Sequence, residues 1–294
     1  MNASSFRPPG VSTIIMTTAA AMVAFAANSV LCRLALRGSA IDPATFSAVR
    51  LVTGAAMLLL IIVLTRSVRA IGGSWASAVW LLLYAVPFSF AYATLSTGTG
   101  ALVLFGAVQV TMIVAAILSG ERPRPVQWFG FVVAIAGLIY LVLPGVEAPS
   151  RGGAALMTLA GASWGVYSIR GRGASNPLGQ TAGNFLRAAP MAVVVLLLAR
   201  GSVHAGVRGI GLAAASGALA SALGYVLWYR ALRGLTATRA AVVQLSVPVL
   251  AASAGVAMLG EALSVRLMLA AVVVFAGLLM ALLTREAAAA PARR

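Results

Sequence analysis

Lysine is missing from this chain altogether, cysteine and histidine occur once each, and the acidic residues number five. A single cysteine, Cys32, cannot close an intramolecular disulfide, and a single histidine, His204, cannot supply the clustered ligands of a metal site. A Ser/His/Asp arrangement lacks candidates for the same reason, and without lysine there is no Gly-x-x-x-x-Gly-Lys loop to cradle a nucleotide. No catalytic residue, metal or cofactor is therefore expected, and the chain does not read as an enzyme. Charge of either sign is scarce too. At 9% charged residues, against roughly 25% for a soluble domain, a water-facing surface cannot be built.

The formal charge of +16 raises the question of nucleic acid. The arginines stand in ones and twos at the ends of apolar runs, which is how topology determinants are placed and not how a phosphate-binding patch is built. No nucleic-acid partner is expected.

What the chain does have is apolar sequence: 61% hydrophobic residues and a mean hydropathy of +1.01. A span needs ~20 mainly apolar residues to cross ~30 Å of hydrocarbon. Ten runs qualify: 11–36, 44–65, 75–96, 99–119, 126–143, 152–170, 178–199, 208–232, 239–259 and 265–284. Their unbroken apolar character excludes a β-barrel, whose strands alternate. The expectation is an all-α polytopic membrane protein with ten transmembrane helices and the lipid bilayer as its surroundings. Ala24-Phe25-Ala26 imitates a signal-peptide cleavage site, but the run continues through Leu31, so an uncleaved first span is expected. The stretch from Glu286 to Arg294 is expected to be disordered. Arginines such as Arg66, Arg69, Arg122, Arg124, Arg170 and Arg172 concentrate on one side, which sets both termini in the cytoplasm of a bacterial-type inner membrane.

Residues 104–121 and 244–261 share one build: an apolar helix-length run closing on Gly120-Glu121 and on Gly260-Glu261. Further equivalences join Phe25-x-x-Asn28-Ser29 to Trp164-x-x-Tyr167-Ser168, Asp42-Pro43 to Asn176-Pro177, and Arg50 to Arg187. The chain divides into two five-helix repeats, 1–146 and 147–294. Five is odd, so the second repeat enters the membrane upside down. Two inverted repeats around a midplane site are the structural basis of alternating access. Two repeats in one chain also make a functional monomer feasible.

Asp42, Glu121, Glu147, Glu261 and Glu286 all lie at span ends or in loops. Intramembrane carboxylates are the usual proton relays of pumps and antiporters, so their absence from mid-span points to a facilitator or exchanger. Glu121 and Glu261 are expected to anchor helix ends or to pair with Arg122 and Arg266.

Helical spacing gathers polar and aromatic groups on single faces. Trp164, Tyr167 and Ser168 share one on the sixth helix, Phe25, Asn28 and Ser29 one on the first, and Tyr225, Trp228 and Tyr229 one on the eighth. Tyr92 and Ser96 share a face of the third, while Gln109 and Gln244 lie inside the fourth and ninth. Apolar walls with a few polar groups suit a pocket for an amphipathic small molecule. The competing readings are an aromatic belt for Trp228 and Tyr229, and plain interhelical hydrogen bonding for Asn28, Gln109 and Gln244. Arg50 and Arg187 lie within spans; either can hold a substrate carboxylate or snorkel to the headgroups. The candidate substrate-binding set is Asn28, Tyr92, Gln109, Trp164, Tyr167, Arg187, Tyr225, Trp228 and Gln244. Gly54, Gly106, Gly130, Gly137, Gly217, Gly224 and Gly277 allow close helix contact, and Pro87, Pro190 and Pro248 are candidate kinks.

The five-plus-five spans, the two Gly-Glu closures, Pro248 in the ninth span and Tyr225-x-x-Trp228-Tyr229-Arg230-Ala231-Leu232 in the eighth resemble the drug/metabolite transporter superfamily. More narrowly they resemble its EamA-type ten-helix members, the YddG-type aromatic amino-acid exporters among them. Val108 departs from the pattern by standing where the second half has Pro248, so the fourth helix is expected to run straight. The resemblance implies export of small amphipathic metabolites, with aromatic or large apolar amino acids leading. Sugars, nucleotide sugars or drugs are the alternatives within this fold, and a non-transporting scaffold is the alternative outside it.

Overall fold

The computed structural model describes residues 11–65, 71–120, 122–145, 148–172, 174, 176–199, 203–232, 234–235 and 237–289. Ten helices follow one another: α1 (Val11–Arg37), α2 (Pro43–Leu64), α3 (Trp75–Tyr92), α4 (Thr97–Leu118), α5 (Pro125–Val142), α6 (Arg151–Gly171) and α7 (Pro177–Leu198). Then come α8 (Val207–Leu232), α9 in two segments (Ala237–Gln244 and Ser246–Leu259), and α10 (Val265–Ala289). Among the described residues, nine of them are long and apolar enough to cross a bilayer. The remaining one, α6, has 21 residues and so spans roughly 30 Å; Thr158, Ser163 and its glycines lower its apolarity. The expected boundary at 146/147 lies outside the described residues.

The helix ends follow from local chemistry. Asp42, Ser74, Ser96, Ser150 and Asn176 each accept a backbone N–H of the first turn, at α2, α3, α4, α6 and α7. Proline occupies the first turn of α2, α5 and α7, where its missing N–H costs nothing. Gly120 and Gly260, the repeated closing glycines, both hold left-handed backbone, with φ of 91° and 64°. At the far end, α10 runs to Ala289, past the point where disorder was expected: Glu286 is followed by alanines, the best helix formers.

The major packings join one half of the chain to the other. Helix α5 packs on α10, α2 on α7 and α8, α3 on α6 and α7, α4 on α6 and α9, and α1 on α8 and α9. The pattern maps onto itself when each helix is exchanged for its counterpart five places along. Small residues make these approaches possible. A Cβ on Gly217 would stand 2.2 Å from the Arg50 carbonyl oxygen, and one on Gly277 would stand 2.5 Å from the carbonyl oxygen of Gly130.

Two loop pairings close the ends between the halves. At one, the Asp42 N–H donates to the His204 carbonyl at 3.0 Å, and the Gly206 N–H donates to Ala40 at 2.7 Å. At the other, the Gly72 N–H donates to the Gly179 carbonyl at 3.1 Å, and the Ser74 N–H donates to Asn184 Oδ1 at 2.9 Å. Asp42 and Asn176, paired as equivalents in sequence, each cap the helix that leaves one of these pairings.

Candidate functional site

Where α1, α3, α4, α6 and α8 converge, the bundle encloses a cavity lined by Phe25, Asn28, Tyr84, Phe88, Leu104, Phe105, Trp164 and Tyr225. Every one of these residues is at least nine-tenths buried. The rings support one another in tilted and edge-to-face contacts. Trp164 lies 4.9 Å from Tyr84 and 4.9 Å from Tyr225, centroid to centroid, and Phe25 sits 6.1 Å from Trp164. The volume is about 10 Å³, room for one water molecule. The site is therefore collapsed in this conformation, and a metabolite enters only if the lining helices separate.

Two polar networks back the rings. Asn28 donates to the Tyr84 hydroxyl at 3.3 Å and accepts from the Ser216 hydroxyl. Arg50, on α2, donates from Nη2 to the same Tyr84 oxygen at 2.8 Å and from Nε to Ser221 Oγ at 3.1 Å. Its guanidinium carbon lies 5.0 Å from the Tyr84 ring centre and 4.9 Å from that of Phe88. Ser216 and Ser221 belong to a π-helical stretch of α8, Ser216–Leu223. The wider turn brings Ser216, Ser221 and Tyr225 toward a common side of α8 that a regular helix would spread apart.

The candidates from sequence divide accordingly. Asn28, Trp164 and Tyr225 line the cavity. Tyr167 stacks on Trp164 at 5.5 Å and accepts from Asn184 at 3.3 Å. Trp228 is buried against Phe25 at 5.9 Å, inside the bundle and away from any lipid belt. Gln109 crosses to α9, donating to the Ala241 carbonyl at 3.3 Å, whereas Gln244 bonds Ala240 within its own helix at 3.2 Å. Tyr92 is buried where α3 turns into α4, its hydroxyl donating to the Thr97 carbonyl at 3.4 Å. Arg187 donates to the carbonyls of Gly72 and Gly183 at 2.9 and 2.7 Å, at a bundle end. Tyr92, Gln109, Tyr167, Arg187, Trp228 and Gln244 are not among the lining residues.

Two expectations need correction. Glu261 anchors a helix end as expected, accepting the Thr97 N–H at 2.8 Å, but its ion pair is with Arg33, at 3.1 Å, and not with Arg266, which donates to the Leu143 carbonyl at 2.8 Å; Glu121 lies outside the described residues. Arg50 and Arg187 are also not structural equivalents. Counted from the capping residues Asp42 and Asn176, the position of Arg50 corresponds to Asn184. Sequence reasoning passed over Tyr84 and Phe88, although Tyr84, Phe88 and Tyr92 stand four apart along one face of α3.

Comparison with known proteins agrees with this architecture. Residues 12–143 and 151–283 each match the EamA-like transporter family. The chain is 49% identical over 277 residues to "Uncharacterized protein PA1977" of Pseudomonas aeruginosa, covering 94% of this chain and 96% of that one. It is 27% identical over 256 residues to "Uncharacterized transporter YwfM" of Bacillus subtilis, covering 84% and 86% respectively. A protein of known crystal structure superposes with a TM-score of 0.67 at 21% identity, over 94% of this chain and 99% of its own, a likeness of fold alone. Two family matches in tandem, each spanning five helices, account for nearly the whole sequence: the chain belongs to the EamA-like transporter family.

Proposed function

We propose that this transporter carries small amphipathic metabolites, with aromatic and large apolar amino acids foremost, out of the cell across the inner membrane by alternating access. The observation that carries the reading is the buried aromatic cavity held between the halves, with Asn28 and Tyr225 as its polar points. Six aromatic side chains around a small polar centre match an apolar side chain carried on a polar head. Among the described residues no acidic side chain lies at cavity depth, which favours substrate-gradient exchange over proton coupling.

The test is counterflow in proteoliposomes with phenylalanine, leucine, methionine and a set of sugars, with and without a pH gradient. Exchange of the amino acids that ignores the gradient is the expected result. Collapse of exchange without the gradient would sink the uncoupled mechanism. Movement of sugars alone would keep the fold and discard the substrate class. No movement of any solute would favour a scaffold.

A further inference from the structure

Arg50 is a cation that the protein buries without neutralising. Its side chain is 1% exposed, and among the described residues it makes no ion pair. Of the chain's five acidic residues, Asp42 caps α2, Glu261 follows the end of α9 and position 286 lies in the last turn of α10, while positions 121 and 147 lie outside the described residues. The two whose side chains are described are engaged elsewhere, Asp42 by Thr45 and His204, and Glu261 by Arg33 and Thr97. An unpaired charge in a low-dielectric interior is costly and persists only where its surroundings or its ligand compensate it. Tyr84, Ser221 and two ring faces compensate in part, yet Nη1 has no acceptor. The Tyr225 hydroxyl, in the cavity wall, is likewise without a partner. The structure thus holds two unused buried donors, one of them a guanidinium, around an otherwise aromatic site.

We propose that Arg50 is the counter-ion of a substrate carboxylate, so that the carried molecule is a monocarboxylate with an apolar or aromatic body. The inference rests on the transport reading above and narrows it. Tyr84 and Phe88 stand between Arg50 and the collapsed cavity, touching both. Opening the site moves these rings and joins the guanidinium to the cavity. Nη1 and the Tyr225 hydroxyl then receive the carboxylate, while Nη2 and Nε keep their bonds to α3 and α8. A planar fork of donors suits a carboxylate better than any other polar head an amphipathic metabolite carries. Among the described residues the site offers no carboxylate to an ammonium group. The acid is therefore the recognised feature and the amine is dispensable.

The experiment compares matched ligands on the full-length wild-type protein: phenylalanine, 3-phenylpropionate, phenylalanine amide and phenethylamine, with the corresponding leucine series. Each competes in counterflow, and each is scored for thermal stabilisation of the purified protein. Both acids, with and without the amine, are expected to outcompete the amide and the amine by roughly ten- to hundredfold, the worth of one charge-assisted pair. R50Q is expected to erase that preference, and R50K, which keeps the charge without the fork, to restore part of it. An amide as effective as its acid on the wild type would overturn the proposal and leave transport standing, whatever the folding of the variants. So would a full acid preference in R50Q. A wild type that moves no member of either series would instead bring down the transport reading itself.

Discussion

Arg33 and Glu261 meet where α1 and α9 finish, Nε lying 3.1 Å from Oε1. The other carboxylate oxygen accepts the Thr97 N–H at 2.8 Å and so caps α4, while Arg33 Nη1 donates to the Tyr92 carbonyl at 2.9 Å. Arg37, one turn on, donates to the Leu259 carbonyl. One carboxylate thereby ties α1, α3 and α4 of the first half to α9 of the second. Under the alternating access proposed above, this contact would act as a seal at one end of the bundle.

The lone cysteine reports on that seal. Cys32 precedes Arg33 and is fully buried. E261A removes the ion pair and the cap together, at a cost of roughly 1–3 kcal/mol. If that cost falls on the closed state, alkylation of Cys32 by N-ethylmaleimide is expected to quicken about tenfold, as 1.4 kcal/mol corresponds to one decade. An unchanged rate would show that this end opens independently of Glu261.

Asp42 gives a pH dependence with a definite sign. Burial raises the affinity of its carboxyl for a proton. Hydrogen bonds from the Thr45 hydroxyl and from the N–H groups of Thr45, His204 and Ala44 outweigh that and hold it below the usual carboxylate value. Between the two values the unfolded chain binds more protons than the native one, so stability rises with pH there. The contribution is complete above the ordinary aspartate value of about 3.9 and is lost as pH falls through the lower native value. Thermal midpoints of wild type and D42N should therefore converge on acidification from pH 6 to 3. A gap that stays constant would mean that Asp42 acts without its charge. D42A should cost roughly 1 kcal/mol at neutral pH through the lost cap of α2.

Gly277 lets α10 approach α5, and a Cβ there would stand 2.5 Å from both the Ala134 nitrogen and the Gly130 carbonyl oxygen. Neither backbone atom can yield without moving a helix. G277V is expected to destabilise by roughly 1–3 kcal/mol through overpacking. None of the residues lining the aromatic cavity lies on α5 or α10, so ligand preference in counterflow should survive at temperatures where the variant remains folded. A changed order of preference would show that the α5–α10 crossing shapes the site.

Most of the fold was legible because each helix announces itself locally. Apolar runs gave the ten spans, Pro and Asp or Asn marked the starts of α2 and α7, and Gly120 and Gly260 marked stops that both prove left-handed. Val108 and Pro248 foretold that α4 would run unbroken while α9 is interrupted at Leu245. The site was legible only in part. Asn28, Trp164 and Tyr225 stood out as polar or aromatic residues deep in a span. Arg33 and Glu261 could not be paired, since nothing local links residues so far apart in the chain. The π-helical stretch Ser216–Leu223 left no local signature either, although Gly217 at its crossing marks close approach. The pairing of Arg50 with Arg187 is out of register: the caps Asp42 and Asn176 align Arg50 with Asn184, and that alignment is present in the sequence.

Tyr84 separates what the buried network does for stability from what it does for transport. Its oxygen accepts from Arg50 Nη2 at 2.8 Å and from Asn28 at 3.3 Å. Y84F leaves both donors buried without that acceptor and is expected to cost roughly 1–3 kcal/mol, since a stranded polar group loses its full desolvation energy. Removing the charged donor as well should reverse part of the loss, because replacing both partners of a buried pair by apolar groups of similar shape is nearly neutral. R50M/Y84F is therefore expected to melt higher than Y84F in detergent while showing no preference for acids over their amides in counterflow. A double variant less stable than Y84F would show that Arg50 is held chiefly by its packing against Phe88 and α8. A double variant that transports normally would remove Arg50 from the substrate's path altogether.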